Sequence, residues 1–259
     1  MNKLIGTEQK LEDFEKILDF QKIIDAIAQK KEDRFHPKMK HKYSPTELSG
    51  CIRNSYYSRL FPEAFEDSSY RHFLLGNLLH GLFQDNLESE QRKKYLTKIF
   101  DEDTITHIES EKAFQYLIPL EKTNNRRVII SGRLDTIFYL KGYDKPIIVD
   151  YKSTQNSYYN AKAPKDEHVD QVNFYLGPSL ADYGMVVYID KRNLSIVQHT
   201  LKYSQDRFDK VVKYAVDLDN ALETNVVPIV ERKVQDEKGN CKYCRHKSRC
   251  SEFEKGLTQ

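Results

Sequence analysis

The stretch IIVDYKST, Ile147–Thr154, follows three branched apolar residues with an acid and a lysine. The apolar run reads as a short buried strand. Side chains two apart on a strand point to one face, so Asp150 and Lys152 stand side by side at the edge of an apolar core. Asp135, in SGRLD, lies on the preceding strand shortly before a turn, so a hairpin can bring both carboxylates to one sheet edge. Oxygen-rich sites of this kind suit Mg²⁺ or Mn²⁺. A lysine beside such an ion can hold or deprotonate an attacking water and offset charge developing on a phosphodiester, while the ion lowers the water's pKa.

An isolated D-x-K is more often a strand-end salt bridge, and such pairs at a surface contribute little. Three further features favour chemistry. His80 follows Gly76 by one helical turn in GNLLH, Glu109 and Glu111 share one face of an upstream strand, and Gln171 and Tyr175 lie one turn apart on the helix after DYK. A neutral imidazole from His80 can complete a metal shell. Gln171 can orient the lysine or a water, and the Tyr175 hydroxyl can bond to a phosphate oxygen.

A second constellation closes the chain. Cys241, Cys244 and Cys250 show a C-x₂-C-x₅-C spacing, and the remaining cysteine, Cys51, is far away in sequence. In a reducing setting these are poor disulfide candidates, and soft thiolates favour zinc or an iron-sulfur cluster. Three local ligands and one remote ligand favour a [4Fe-4S] cluster, while His246 leaves a local Cys₃His zinc site open. Lys242, Arg245, Lys247 and Arg249 surround these cysteines and, with Lys38, Lys40 and Lys42, form the two most basic stretches, a candidate contact for a nucleic acid backbone. Tyr56, Tyr57, Tyr158 and Tyr159 are weaker candidates for stacking on unpaired bases.

The elements that must position these groups follow from periodicity. Leu11, Phe14, Leu18, Ile23, Ile24 and Ile27 predict an amphipathic helix, followed by a basic connecting loop, HPKMKHKY. SPTE opens a helix with Ser44 as N-cap, Pro45 at the first position and Glu47 reaching back, which puts Cys51 two turns in. A longer helix is expected over about Ser69–Glu90. From Thr104 the period changes: ITHIESEKAFQYLIPL, RRVIISGRLDTIFYL and PIIVDYKST read as strands separated by KTNN and KGYDK. A helix through HVDQVNFYLGPSLADY, a strand pair joined across DKRN and a helix over about Gln205–Glu223 complete the core.

The chain has 259 residues, 39% hydrophobic, which is enough for one large domain or a domain with an added lobe. With 41 basic and 39 acidic residues its formal charge is +2, so attraction to nucleic acid must come from local patches. No phosphate loop of the form GxxxxGK[ST] and no internal repeat occur. The absence of a leader or of a long apolar run predicts a cytoplasmic protein without membrane association.

Taken in order, Cys51 in SPTELSGC, GNLLH, GRLD, DYK, QVNFY and CKYCRHKSRC resemble the RecB-like nucleases of the PD-(D/E)xK superfamily that carry an iron-sulfur cluster, with the CRISPR-associated Cas-four-type exonucleases most similar. The resemblance covers residues 44 to about 253. It implies an α/β, restriction-endonuclease-like fold: a central mixed sheet flanked by helices, with a helical lobe closed by the cluster. It divides the chain into an N-terminal extension (1–43), a helical lobe (44–103), a catalytic core (104–225) and a cluster-binding segment (226–259). It implies Mg²⁺- or Mn²⁺-dependent cleavage of DNA, preferentially single-stranded and often from an end. His80, Asp135, Asp150 and the Tyr151 carbonyl would bind metal, Lys152 would be the catalytic lysine, and Gln171 and Tyr175 the QxxxY pair. The remaining acid maps to Glu111, with Glu109 the alternative, and Cys51, Cys241, Cys244 and Cys250 match the cluster ligands. CRISPR adaptation proteins or other recombination proteins are the implied partners, and spacer acquisition and viral or mobile-element DNA processing use the same core. A sequence- or structure-specific endonuclease and a non-cleaving DNA-binding adaptor are the competing expectations.

Overall fold

The computed structural model describes residues 38–62, 67–87, 105–120, 126–155, 162–230, 241–242 and 244–257. The amphipathic helix expected before residue 38, and Tyr158 and Tyr159, lie outside these. The chain divides into two compact units, one combining 1–37 with 64–78 and the other combining 38–63 with 79–259. Of the first, the described part is the opening of a helix, α3 (Asp67–Leu87), whose later turns belong to the second unit.

The second unit is built on a six-stranded mixed sheet. Its strands are β1 (Lys42–Tyr43), β2 (Ile105–Pro119), β3 (Arg127–Leu140), β4 (Tyr143–Thr154), β5 (Tyr183–Asp190) and β6 (Ile196–Lys202). β2 pairs antiparallel along the whole of β3, leaving the other edge of β3 to be shared by β1, parallel at 129–130, and β4, antiparallel at 136–140. β4 then pairs parallel with β5, and β5 pairs antiparallel with β6. Parallel neighbours need a crossover, and α4 (Asp166–Leu176) supplies it between β4 and β5. These strands and helices make the expected mixed α/β architecture.

Covering the sheet on both sides explains why the centre of β4 is apolar without alternation. Ile148 packs with Phe174, Leu176, Phe208, Val211 and Leu218 of α4 and α5 (Gln205–Thr224). Val149 and Tyr151 pack on the opposite face with Leu79, Val187 and Ile189. α4 rests against β5 at Gly184, where an added Cβ would meet Val172 Cγ1 at 2.8 Å and Leu176 Cδ2 at 2.9 Å.

Three local expectations are corrected. The SPTE helix, α1 (Pro45–Leu48), has Ser44 as N-cap with its Oγ accepting from Glu47 N at 3.3 Å, but it is one turn long. Ser49 folds back onto the Pro45 carbonyl at 2.6 Å, and Cys51 becomes the N-cap of a new helix, α2 (Ile52–Leu60). Ser49 and Gly50 are weak helix formers, which accounts for the break. Glu47 does not close a capping box: its carboxylate takes Arg59 Nε at 2.7 Å, Arg59 Nη2 at 2.8 Å and Lys38 Nζ at 2.9 Å. The end of the basic connector is strand β1 rather than loop.

Candidate active site and cysteine cavity

The last β3–β4 pair is Thr136 with Val149; beyond it the strands part and β4 continues against β5 alone. Asp135 and Asp150 are the next residue on each strand, so the two acids stand at the fork. Asp135 Oδ2 accepts the Tyr151 amide at 2.9 Å, a side chain taking the place of a ladder carbonyl. His80 reaches the same oxygen, its Nδ1 3.4 Å away, and its ring meets Tyr151 edge-on at 6.2 Å.

Asp150 is 2% exposed, on the α4 side of the sheet. Lys152 Nζ lies 2.8 Å from Asp150 Oδ2 and donates to Gln171 Oε1 at 3.0 Å. Gln171 Nε2 reaches Asp150 Oδ1 at 3.3 Å and the Tyr175 hydroxyl at 2.9 Å. The D-x-K pair and the helix residues therefore form one hydrogen-bonded group. Burial, helped by the nearby Asp135 charge and opposed by Lys152, pushes the Asp150 carboxyl up to about 6. Burial also raises the Tyr175 phenol far above its ordinary range and the Tyr151 phenol to about 12, so both stay neutral hydroxyls.

Among the described residues, no three His, Cys, Asp or Glu side chains are gathered closely enough to hold an ion as they stand. At the fork, Lys152 Nζ lies 2.8 Å from Asp150 Oδ2 and Gln171 Nε2 lies 3.3 Å from Oδ1.

Glu111 departs from the alternation expected of its strand. It lies in register opposite Asp135, between the pairs Ser110–Thr136 and Lys112–Leu134, with a left-handed φ of 52° that is unusual for a residue with a side chain. Glu109 and Glu111 consequently serve different partners. Glu109 pairs with Lys112 at 2.6 Å and accepts from the Tyr139 hydroxyl at 3.1 Å, whereas Glu111 pairs with Arg133 at 3.1 Å.

One group absent from the sequence reading joins this neighbourhood. His168, one turn before Gln171 on α4, has Nδ1 2.8 Å from the Tyr188 hydroxyl, and Tyr188 is the register partner of Lys152. Burial, with Lys152 and Lys165 nearby, drives His168 down to about 3, so its imidazole is neutral. Its spacing with Gln171 and Tyr175, i, i+3 and i+7, was the available signal.

Cys51, Cys241, Cys244 and Cys250 line a single cavity together with Arg53, Tyr57, His246 and Lys247. None is in a disulfide. Burial raises the Cys51 thiol, with Cys244 and Cys250 close enough to add to the effect. His246 is buried, with Nε2 3.1 Å from Ser58 Oγ. Arg53, also unanticipated, is 2% exposed against this cavity. The stacking role for Tyr56 and Tyr57 is corrected: they are 3% and 6% exposed and sit in the main core, where no base can reach them.

The profile of the family described as PD-(D/E)XK nuclease superfamily matches residues 33–251. This chain belongs to that superfamily. Among solved structures, that of SSO0001 shares the fold, at 21% identity over 88% of this chain and 94% of that one, with a TM-score of 0.57. An alkaline exonuclease, LHK-Exo from Laribacter hongkongensis, matches at 12% identity over 71% of this chain and 91% of that one, TM-score 0.38. A phage related exonuclease from Haemophilus somnus matches at 15% identity over 68% and 80%, TM-score 0.37. No curated protein matches the chain. As a PD-(D/E)XK chain it is of the nuclease type, and among the described residues no helix is long and apolar enough to cross a membrane.

Proposed function

We propose that this superfamily member is a metal-dependent deoxyribonuclease that degrades single-stranded DNA or DNA ends, in CRISPR spacer acquisition or in viral or mobile-element DNA processing. The observation that carries the reading is the fork. Two carboxylates lie at the point where β3 and β4 part, one buried and raised to about 6, with a lysine 2.8 Å from it. A buried carboxylate whose charge is disfavoured by burial and by a second carboxylate nearby suits a divalent cation, which offsets that charge.

His80, Asp135 and Asp150 would hold that ion, with the Tyr151 carbonyl. When bound, Mg²⁺ or Mn²⁺ supplies Lewis-acid polarisation of the phosphate and a more acidic water. Lys152 orients that water and offers a cation to the developing phosphorane charge. Gln171, bonded to both Lys152 and Asp150, fixes the lysine at one end and the Tyr175 hydroxyl at the other. Glu111 opposite Asp135 is the remaining acid of the set.

Cys51, Cys241, Cys244 and Cys250 would hold a [4Fe-4S] cluster. Four cysteines, three close in sequence and one remote, line one cavity, a soft donor set of the number and kind such a cluster takes. A local Cys₃His zinc site is the alternative, since His246 lines the same cavity and its bond to Ser58 is through Nε2 alone. The cluster when bound ties α2 to the C-terminal segment.

An assay of end-labelled single-stranded DNA and a closed single-stranded circle, in Mn²⁺, Mg²⁺ or EDTA, tests this. Metal-dependent shortening of the linear strand, an untouched circle and loss of cleavage in Lys152→Ala are expected. Cleavage of the circle would make the enzyme an endonuclease, and cleavage that survives EDTA or Lys152→Ala would overturn the site.

A further inference from the structure

Arg53 is among the largest fully buried side chains of the described residues. A buried guanidinium is costly unless hydrogen-bonded and paired. Its Nε donates to the Pro228 carbonyl at 3.0 Å. Its Nη1 donates to Glu254 Oε1 at 2.8 Å and to Cys250 Sγ at 3.0 Å, and the guanidinium lies over the Phe253 ring, 5.1 Å from its centroid. Glu254 Oε1 is itself 3.9 Å from Cys250 Sγ. One carboxylate and one sulfur are thus served by the two N–H groups of the same nitrogen at the wall of the four-cysteine cavity.

A neutral thiol is a weak acceptor and a poor reason to bury a cation beside it. A thiolate bound to iron is different, because the hydrogen bond becomes charge-assisted and the cation offsets negative charge on the ligand set. We propose that Arg53 is a positioning residue of the cysteine site whose N–H donor to Cys250 sulfur favours the reduced form of a bound iron-sulfur cluster. This rests on the cluster reading above. Reduction adds one electron, supplied by dithionite in the test, and makes or breaks no bond at Arg53. The donor stabilises the more negative state, so the midpoint potential rises. Glu254 opposes this by placing an anion 3.9 Å from the sulfur and neutralising part of the guanidinium charge.

The test uses full-length protein purified without oxygen. Iron and sulfide contents are measured, then the midpoint potential by mediated dithionite titration followed in the visible band. Arg53→Lys keeps the charge but loses the fork. At full iron content it is expected to lower the reduced-to-oxidised ratio at fixed potential about tenfold, a fall of about 59 mV for one electron. Glu254→Gln is expected to move the midpoint the opposite way. Because Glu254 is 26% exposed, that variant decides the question if Arg53→Lys does not fold. Unmoved midpoints in cluster-replete variants would leave Arg53 a merely structural ion pair and overturn its role alone. Wild-type protein without iron and sulfide would overturn the cluster reading and this inference together.

Discussion

Asp150 illustrates how a residue can be held in a state its fold disfavours. Its carboxyl titrates near 6 in the folded chain against an ordinary value of 3.8, because burial outweighs the attraction of Lys152. The folded state therefore binds a proton that the unfolded state releases between those values. Folded stability falls as pH rises from about 4 to 6, and the whole cost is present above 6. Asp150→Asn removes the charge while keeping the shape. In EDTA, urea unfolding should show the variant close to wild type near pH 4 and more stable by about 1–3 kcal/mol at pH 7.5. Cleavage should be lost, and Mn²⁺ should raise the melting temperature of wild type but not of the variant. Lys152→Ala is expected to cost at least about 10²-fold in turnover, read in single-turnover cleavage at saturating Mn²⁺.

At the scale of elements, α4 carries Gln171 and Tyr175 and must be fixed both ways. Toward the sheet it is seated on Gly184, and on its other side buried Asp170 pairs with Arg207 and Lys210 of α5. Gly184→Ala would press a methyl into Val172, Leu176 and the Ile148 carbonyl, which is backbone and cannot yield. A loss of about 1–3 kcal/mol in urea unfolding is expected. Turnover should fall as well, because Val172 and Leu176 each adjoin a residue of the Gln171–Tyr175 pair. Gly256→Ala, where an added Cβ meets nothing within 4 Å, is the control and should stay within about 0.5 kcal/mol.

Across the whole molecule, the cysteine cavity joins residues far apart in the chain, from Cys51 at the start of α2 to Cys250 in α6 (Lys247–Leu257). A bound cluster would close that long loop, and its binding free energy would add to folding. Cys51→Ser should therefore yield protein with less iron, less brown colour and lower solubility. Its thermal midpoint should drop by several degrees, measured by circular dichroism beside anaerobic wild type.

Much of this was legible in the chain itself. Strand alternation put Asp150 beside Lys152, helical spacing put Gln171 beside Tyr175, and changes of period marked the core strands and helices, because such relations are local. Tertiary structure alone decided the rest. Where β3 and β4 part depends on β4 finding a parallel partner in β5, and the left-handed turn at Glu111 belongs to a strand pairing. Whether Tyr56 faces solvent or core depends on what packs over it. Arg53 sounds like one more surface cation in the sequence, and only burial beside Cys250 gives it a task. Periodicity reports the neighbours a residue has along the chain, whereas charge, burial and hydrogen-bond partners depend on neighbours brought from elsewhere.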